Sequence, residues 1–426
     1  MKKIFLLPAF ALAFTGAAFA QSPDAELGFY KQQAAGGDKK LLCAVADNLF
    51  YWSARNYALP AAPSALMLKA DSELKIKAFP AAVITLLRYK YEYPKSNDKE
   101  ALDAMFAQAS QNIEKDKREA LGKLTAAPVA AAPVEERLAA FLSEAAKLDL
   151  KNTFAPLFAE YQNFFTRFPV YGDKDRLELM LGDLYRQNKN YQAAIMQYQK
   201  VYEIYPSTKY KAASVRMTGD IYGGELKDYN KAMHYYETVL ADFPDSAERG
   251  ITYNHMAILS ENKKDYSGAV NYITSAADIY IKDNQAARAY DALLYKADLQ
   301  ENRLKDYVAA ADTLKKTADI FAKSQQKFVE VKLKTAGIYS KRLKDFYGQL
   351  AAYEAIITNY PAAPQTPQAM FDAAGIYEKL SNPQQAKAVY QKLIIAHPAD
   401  ALAIRAQKRV DAIDKQAEKA AQKASN

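Results

Sequence analysis

Cysteine occurs once in 426 residues, at Cys43, tryptophan once, at Trp52, and histidine three times. A lone cysteine excludes any intramolecular disulfide, so the fold must hold by packing. Cys43 itself reads as a small buried hydrophobe. His234, His255 and His397 share no spacing that would gather them on one metal ion. Also missing are a Gly-rich phosphate loop, HExxH, paired CxxC and the GxSxG elbow. The sequence therefore points to no catalytic, cofactor-binding or metal-ligating residue, and the expectation is a protein that is not an enzyme. Beyond residue 20 no apolar run approaches the roughly 20 residues that cross a bilayer.

The one long apolar run is N-terminal. Met1-Lys2-Lys3 precedes Ile4 to Ala20, which holds Pro8, Thr15 and Gly16 and ends in Ala18-Phe19-Ala20. This is the charged, apolar and small-x-small order of a secretory signal peptide, so the chain is expected to be exported, residues 1–20 to be removed and the mature chain to begin near Gln21. Removal of Lys2 and Lys3 lowers the formal net charge from +8 to +6. The charges alternate in sign without long basic blocks, as on solvated helix faces, so no nucleic-acid partner is expected. The segment 405–426, with six basic and three acidic residues among alanines, reads as a frayed basic tail.

A repeat organises most of the rest. From Gly182 as origin, Tyr185, Ala194, Tyr198 and Pro206 stand at +3, +12, +16 and +24. Gly219, Tyr222, Ala232, Tyr236 and Pro244 keep this ladder with one extra residue, read as lying in the turn between two helices. Ala336, Tyr339, Gln349, Tyr353 and Pro361 carry the same insertion, whereas Ala374, Tyr377, Ala386, Tyr390 and Pro398 do not. Looser copies are Ala70, Ala82, Leu86, Pro94, then Ala145, Leu148, Tyr161, Pro169, then Ala257 with Ala269, and Ala297 with Ala310 and Leu314. Successive origins lie 37 to 40 residues apart, except a first gap of 75 that suggests a degenerate unit around 101–123. The small residues let two helices approach closely, the tyrosines fill the space beside the crossing, and the proline ends the second helix. One such unit buries too little to fold alone, so units must stack.

The ladder resembles the L-G-x2-Y, A-x3-F, P signature of tetratricopeptide (TPR) repeats. The expected fold class is all-α, a right-handed superhelical solenoid of TPR-like helix-turn-helix repeats. Residues 21–62 are read as an N-terminal helical cap containing a helix from Asp38 to Tyr57, and 63–124 as TPR-like units with a charged solvated helix. The Pro/Ala stretch 125–134 is read as a linker and domain boundary, 135–404 as an array of about seven repeats, and 405–426 as the tail. The unit from Gly219 to Pro244, with its K-D-Y turn, resembles the TPR modules of bacterial envelope proteins, the BamD-like and CpoB-like families. That resemblance implies a periplasmic scaffold for protein–protein interactions in outer-membrane or peptidoglycan assembly or maintenance. A second reading is an accessory or degenerate member of a peptidoglycan-acting enzyme system.

TPR geometry implies that the first helix of each unit lines a concave face. Its register nominates Arg176, Asp183, Arg186 and Gln187; Arg216 and Asp220; Asn254, Glu261 and Asn262; Asp291, Asp298, Glu301 and Asn302; Glu330 and Lys341; and Glu378 and Lys379. The mixed signs suit an envelope protein or extended peptide segment in a groove that is basic early and acidic later.

Overall fold

The computed structural model describes residues 22–425, so the expected leader and its cleavage site lie outside the described residues. Every regular element among them is helical, and the chain divides into two units at Tyr210/Lys211. The first unit contains α1 (Pro23–Gly36), α2 (Lys39–Arg55), α3 (Ala62–Lys75), α4 (Phe79–Glu92), α5 (Lys99–Ser110), α6 (Lys115–Ala126), α7 (Val134–Lys147), α8 (Phe154–Arg167), α9 (Lys174–Gln187) and α10 (Tyr191–Ile204). The second contains α11 (Lys211–Asp220), α12 (Tyr229–Asp242), α13 (Arg249–Asn262), α14 (Tyr266–Lys282), α15 (Ala286–Asp298), α16 (Tyr307–Ile320), α17 (Gln325–Ile338), α18 (Phe346–Asn359), α19 (Thr366–Lys379), α20 (Pro383–Ala396) and α21 (Ala401–Ser425). Within each unit consecutive helices pack as pairs, one pair per ladder unit, which is the all-α arrangement of a TPR-like solenoid.

The ladder residues do what their sizes require. Gly182 faces Tyr198 so closely that a Cβ there would lie 2.3 Å from the ring, and Ala70, Ala82, Ala194, Ala232, Ala257, Ala269 and Ala374 are fully buried. Pro94, Pro169, Pro206, Pro244, Pro361 and Pro398 each stand two residues past the end of a second helix, where the ring cannot continue the helical ladder.

The turns inside the pairs repeat as well. Lys189, Lys227, Lys264, Lys305, Lys344 and Ser381 hold left-handed backbone with φ of 55° to 63°. An aspartate or asparagine follows each. In Asp228, Asp265, Asp306 and Asp345 the side chain accepts from backbone N–H groups of the next helix's first turn, and its own N–H closes the preceding helix, as when Asp265 N donates to Ser260 O at 2.8 Å. Those six positions are strained for a residue with a Cβ.

Several expectations need correction. The extra residue in three units does not lengthen the turn. It is absorbed as a π-helical turn closing the first helix, at Ile221–Glu225 after α11, Leu299–Arg303 after α15 and Tyr339–Leu343 after α17. These are the three units whose second small position is displaced from +12 to +13. The Pro/Ala stretch is no core boundary either. Leu138, Phe141 and Leu142 of α7 belong to the same buried cluster as Val83, Leu86 and Leu87 of α4, because α7 packs directly on α4 across the stretch. Helices α5 and α6 span the stretch read as a degenerate unit, and α6 buries only Leu121. Cys43 is half-buried, not part of the core. The basic tail is not frayed where it begins, since α21 buries Ala406, Val410 and Ile413 alongside α20.

Candidate functional site

The register places the nominated residues on first helices, and packing divides them into four groups. Arg216 and Asp220, one turn apart on α11, are only 9% and 8% exposed. Arg216 donates to Asp220 at 2.5 Å and to Glu248 at 2.6 Å, and Asp220 also accepts from the Tyr236 hydroxyl at 2.9 Å and meets His255 Nδ1 at 2.6 Å. Burial works to raise the Asp220 pKa, but the bonds from His255, Arg216 and Tyr236 outweigh it and hold the carboxyl below its usual range. These two residues are thus a buried brace joining α11, α12 and α13, and not part of an accessible wall.

A second group is half-buried and engaged with neighbouring helices. Arg176 donates to Ser143 of α7 at 2.8 Å and pairs with Asp173. Asp183 accepts from Tyr198 at 2.6 Å, so the ladder tyrosine fastens the first helix as well as filling space. Tyr390 repeats this on Glu378 at 2.8 Å. Glu261 accepts from Tyr295 at 2.6 Å and Arg303 at 2.8 Å, which hold its carboxyl below the ordinary range. Arg186 and Asn254 are also half-buried. The early basic wall is therefore largely committed to structure.

A third group lies open. Gln187 edges a hollow of about 460 Å³ with Glu114, Lys117, Asp149 and Lys151. Asn262 and Asp291 are exposed, and Lys379 sits 5.6 Å from the Phe346 ring centre.

The structure brings Asp298, Glu301, Glu330 and Lys341 together. They line a cleft of about 520 Å³ between α15 and α17, the first helices of successive units. Its apolar wall is Leu294, Ala297, Leu314, Leu333 and Ile338, and Lys334 and Gly337 complete it. Asn302 donates to Asp298 at 2.6 Å, Arg342 to Glu301 at 3.0 Å, and Lys334 pairs with Glu330 at 3.8 Å. Both walls end in π-helical turns, one carrying Glu301 and the other Lys341. A π-turn widens the helix by one residue and rotates the residues beyond it, so the charged groups are set at the cleft's end and not on the straight helix face. Polar groups of both signs above an apolar floor can fix the register and direction of a bound chain. Sequence reasoning missed the apolar floor and Gly337. A glycine inside a helix, next to the small ladder residue Ala336, is the signal that could have found it. Nothing lies within 4 Å of where its Cβ would be, so it opens space in the cleft.

Among the described residues no helix is long and apolar enough to cross a membrane, and no three His, Cys, Asp or Glu side chains are placed to hold a metal ion.

Comparison with known proteins locates the repeat independently. Tetratricopeptide repeat models match residues 179–208, 216–246 and 368–400, which are the Gly182, Gly219 and Ala374 units. A search of curated proteins finds no match. Similar solved structures include a tetratricopeptide repeat protein from Parabacteroides merdae, at 15% identity over 65% of this chain and 98% of that one, TM-score 0.34. Others are Pseudomonas aeruginosa pilF, at 16% identity over 55% and 96%, TM-score 0.30, and the C-terminal part of a TPR repeat-containing protein from Cytophaga hutchinsonii, at 15% over 63% and 98%, TM-score 0.38. From the ladder, the paired helices and the family models together, the chain carries tetratricopeptide repeats.

Proposed function

We propose that this chain is a non-enzymatic, exported TPR adaptor of the bacterial envelope that holds an extended segment of a partner protein in the cleft between α15 and α17. The observation that carries the reading is the cleft itself: two successive first helices, each closed by a π-turn, present acidic and basic groups over an apolar floor. The periplasmic setting rests on the N-terminal leader, and the role in outer-membrane or peptidoglycan assembly or maintenance on the resemblance of the Gly219 unit to envelope TPR modules.

Gly337→Trp tests it, because the new side chain enters open space and should plug the cleft without disturbing α17. The expected result is a variant with wild-type helicity and melting temperature that no longer crosslinks its partner in intact cells. Unchanged crosslinking by the folded variant would move the binding surface elsewhere. N-terminal sequencing of the cell-envelope protein should begin at or near Gln21.

A further inference from the structure

In the first unit, α2, α3, α4 and α8 enclose an open pocket of about 360 Å³ that the TPR register does not predict. Lys69, Glu73 and Glu160 form its floor and are only 6%, 5% and 5% exposed. Charges this deep are costly unless each is answered. Lys69 and Glu73 answer each other: the ammonium donates to Glu73 Oε1 at 2.5 Å and to Thr85 at 2.6 Å, and the Thr85 hydroxyl donates to Glu73 Oε2 at 2.7 Å.

Glu160 is less well served. Its Oε1 accepts from Arg88 at 3.3 Å, but Arg88 is also committed to Glu92 at 2.9 Å, and Glu92 is shared with Arg167. Among the described residues no hydrogen bond reaches Glu160 Oε2, although the side chain lines the pocket. Burial pushes this carboxyl above its ordinary range, with Arg88 and Lys69 pulling the other way.

The lining selects the sign and shape of that partner. Three carboxylates, Asp47, Glu73 and Glu160, line the pocket with one ammonium, so an anion is repelled and an alkyl group without a donor leaves Glu160 Oε2 without a hydrogen bond. Tyr51, 64% exposed, and Phe50 add aromatic rings to the lining, a cation already standing over the Phe50 ring where Arg88 lies 5.8 Å from its centre, and Ile84 and Ala159 offer an apolar wall to an alkyl stem.

We propose that this pocket binds an alkylammonium group, a lysine-type head on a methylene stem, which donates to Glu160 Oε2 and Asp47 while its stem lies along Ile84 and Ala159. The site is separate from the cleft between α15 and α17 and stands or falls without it. The same chemistry comes from a lysine side chain in a polypeptide or from a free diamine.

Calorimetric titration of the full chain at low salt distinguishes them, with N-acetyl-lysine methylamide, cadaverine, N-acetyl-norleucine methylamide and glutarate as probes. The lysine amide, cadaverine or both should bind saturably, the one that binds naming the source, and the uncharged and anionic probes should not. Glu160→Gln, which can still accept from Arg88, should weaken binding roughly tenfold or more. Ala155→Trp at the exposed rim should block entry, and it decides the matter if Glu160→Gln fails to fold. Absence of binding by both ammonium probes, equal binding of norleucine amide or glutarate, or undiminished binding by folded Glu160→Gln or Ala155→Trp would overturn the site.

Discussion

Two glycines show how one residue type serves opposite ends. At Gly182 a methyl group would lie 2.3 Å from Tyr198, whereas at Gly337 it would meet nothing within 4 Å. Gly182→Ala should therefore cost about 1–3 kcal/mol by overpacking, and Gly337→Ala should gain about 0.5–1 kcal/mol from helix propensity alone. Urea titrations of the two variants would give midpoints shifted in opposite directions. Asp220 supplies the corresponding test for charge. Its folded pKa lies below the ordinary 3.8, so the stability it confers is fully present above that pH and is lost as pH falls toward the folded value. Asp220→Asn leaves Arg216 short of a buried partner and should destabilise by about 3 kcal/mol at neutral pH. As pH falls below about 4 the gap between variant and wild type should narrow, and thermal melts across pH 3 to 7 would show whether it does. None of this brace was legible from the sequence. Arg216 and Asp220 sat at solvent-facing register positions, and the groups that bury them, Glu248 and His255, come from the next helix pair.

At the scale of the element, the ladder was legible because its cause is local. A small residue must face an aromatic four positions beyond the second small residue, and a proline must come after the second helix, so spacing alone locates each pair. The inserted residue in the Gly219 and Ala336 units was visible too, though the same one in the Ala297 unit was passed over, but a sequence cannot say whether an insertion lengthens a turn or swells a helix. The structure answers that it swells the helix. Deleting Asn302 should restore the +12 spacing that other units use, leaving far-ultraviolet circular dichroism unchanged while pulling Glu301 and Arg303 out of place. Partner crosslinking through the α15–α17 cleft should fall, and Arg342 should lose its bond to Glu301. Composition misled at 125–134, where proline and alanine mark the break between α6 and α7 but say nothing about how the helices on either side pack. Likewise, Lys69, Glu73, Arg88 and Glu160 read as solvated faces of amphipathic helices. Arg88 and Glu160 are 72 residues apart, and only packing of α8 against α4 reveals that they share an interior.

At the scale of the molecule, stacked pairs make stability a sum of neighbouring contributions, with no single core on which everything depends. The strained turns give that property a practical consequence. Lys189, Lys227, Lys264, Lys305 and Lys344 are all exposed, and each marks the turn of a different pair. The chain thus carries its own set of evenly spaced trypsin sites. Capping bonds pin each turn, so the protease can cut there only after that pair has opened. When opening and closing outpace cleavage, the cutting rate at each lysine reports the opening free energy of its own pair. A timed digest read by mass spectrometry should then release fragments ending at these lysines in order of local stability. Adding a peptide that fills the α15–α17 cleft should slow cutting at Lys305 and Lys344 while leaving Lys189 unaffected, which would make the turns a built-in footprint of where the protein is occupied.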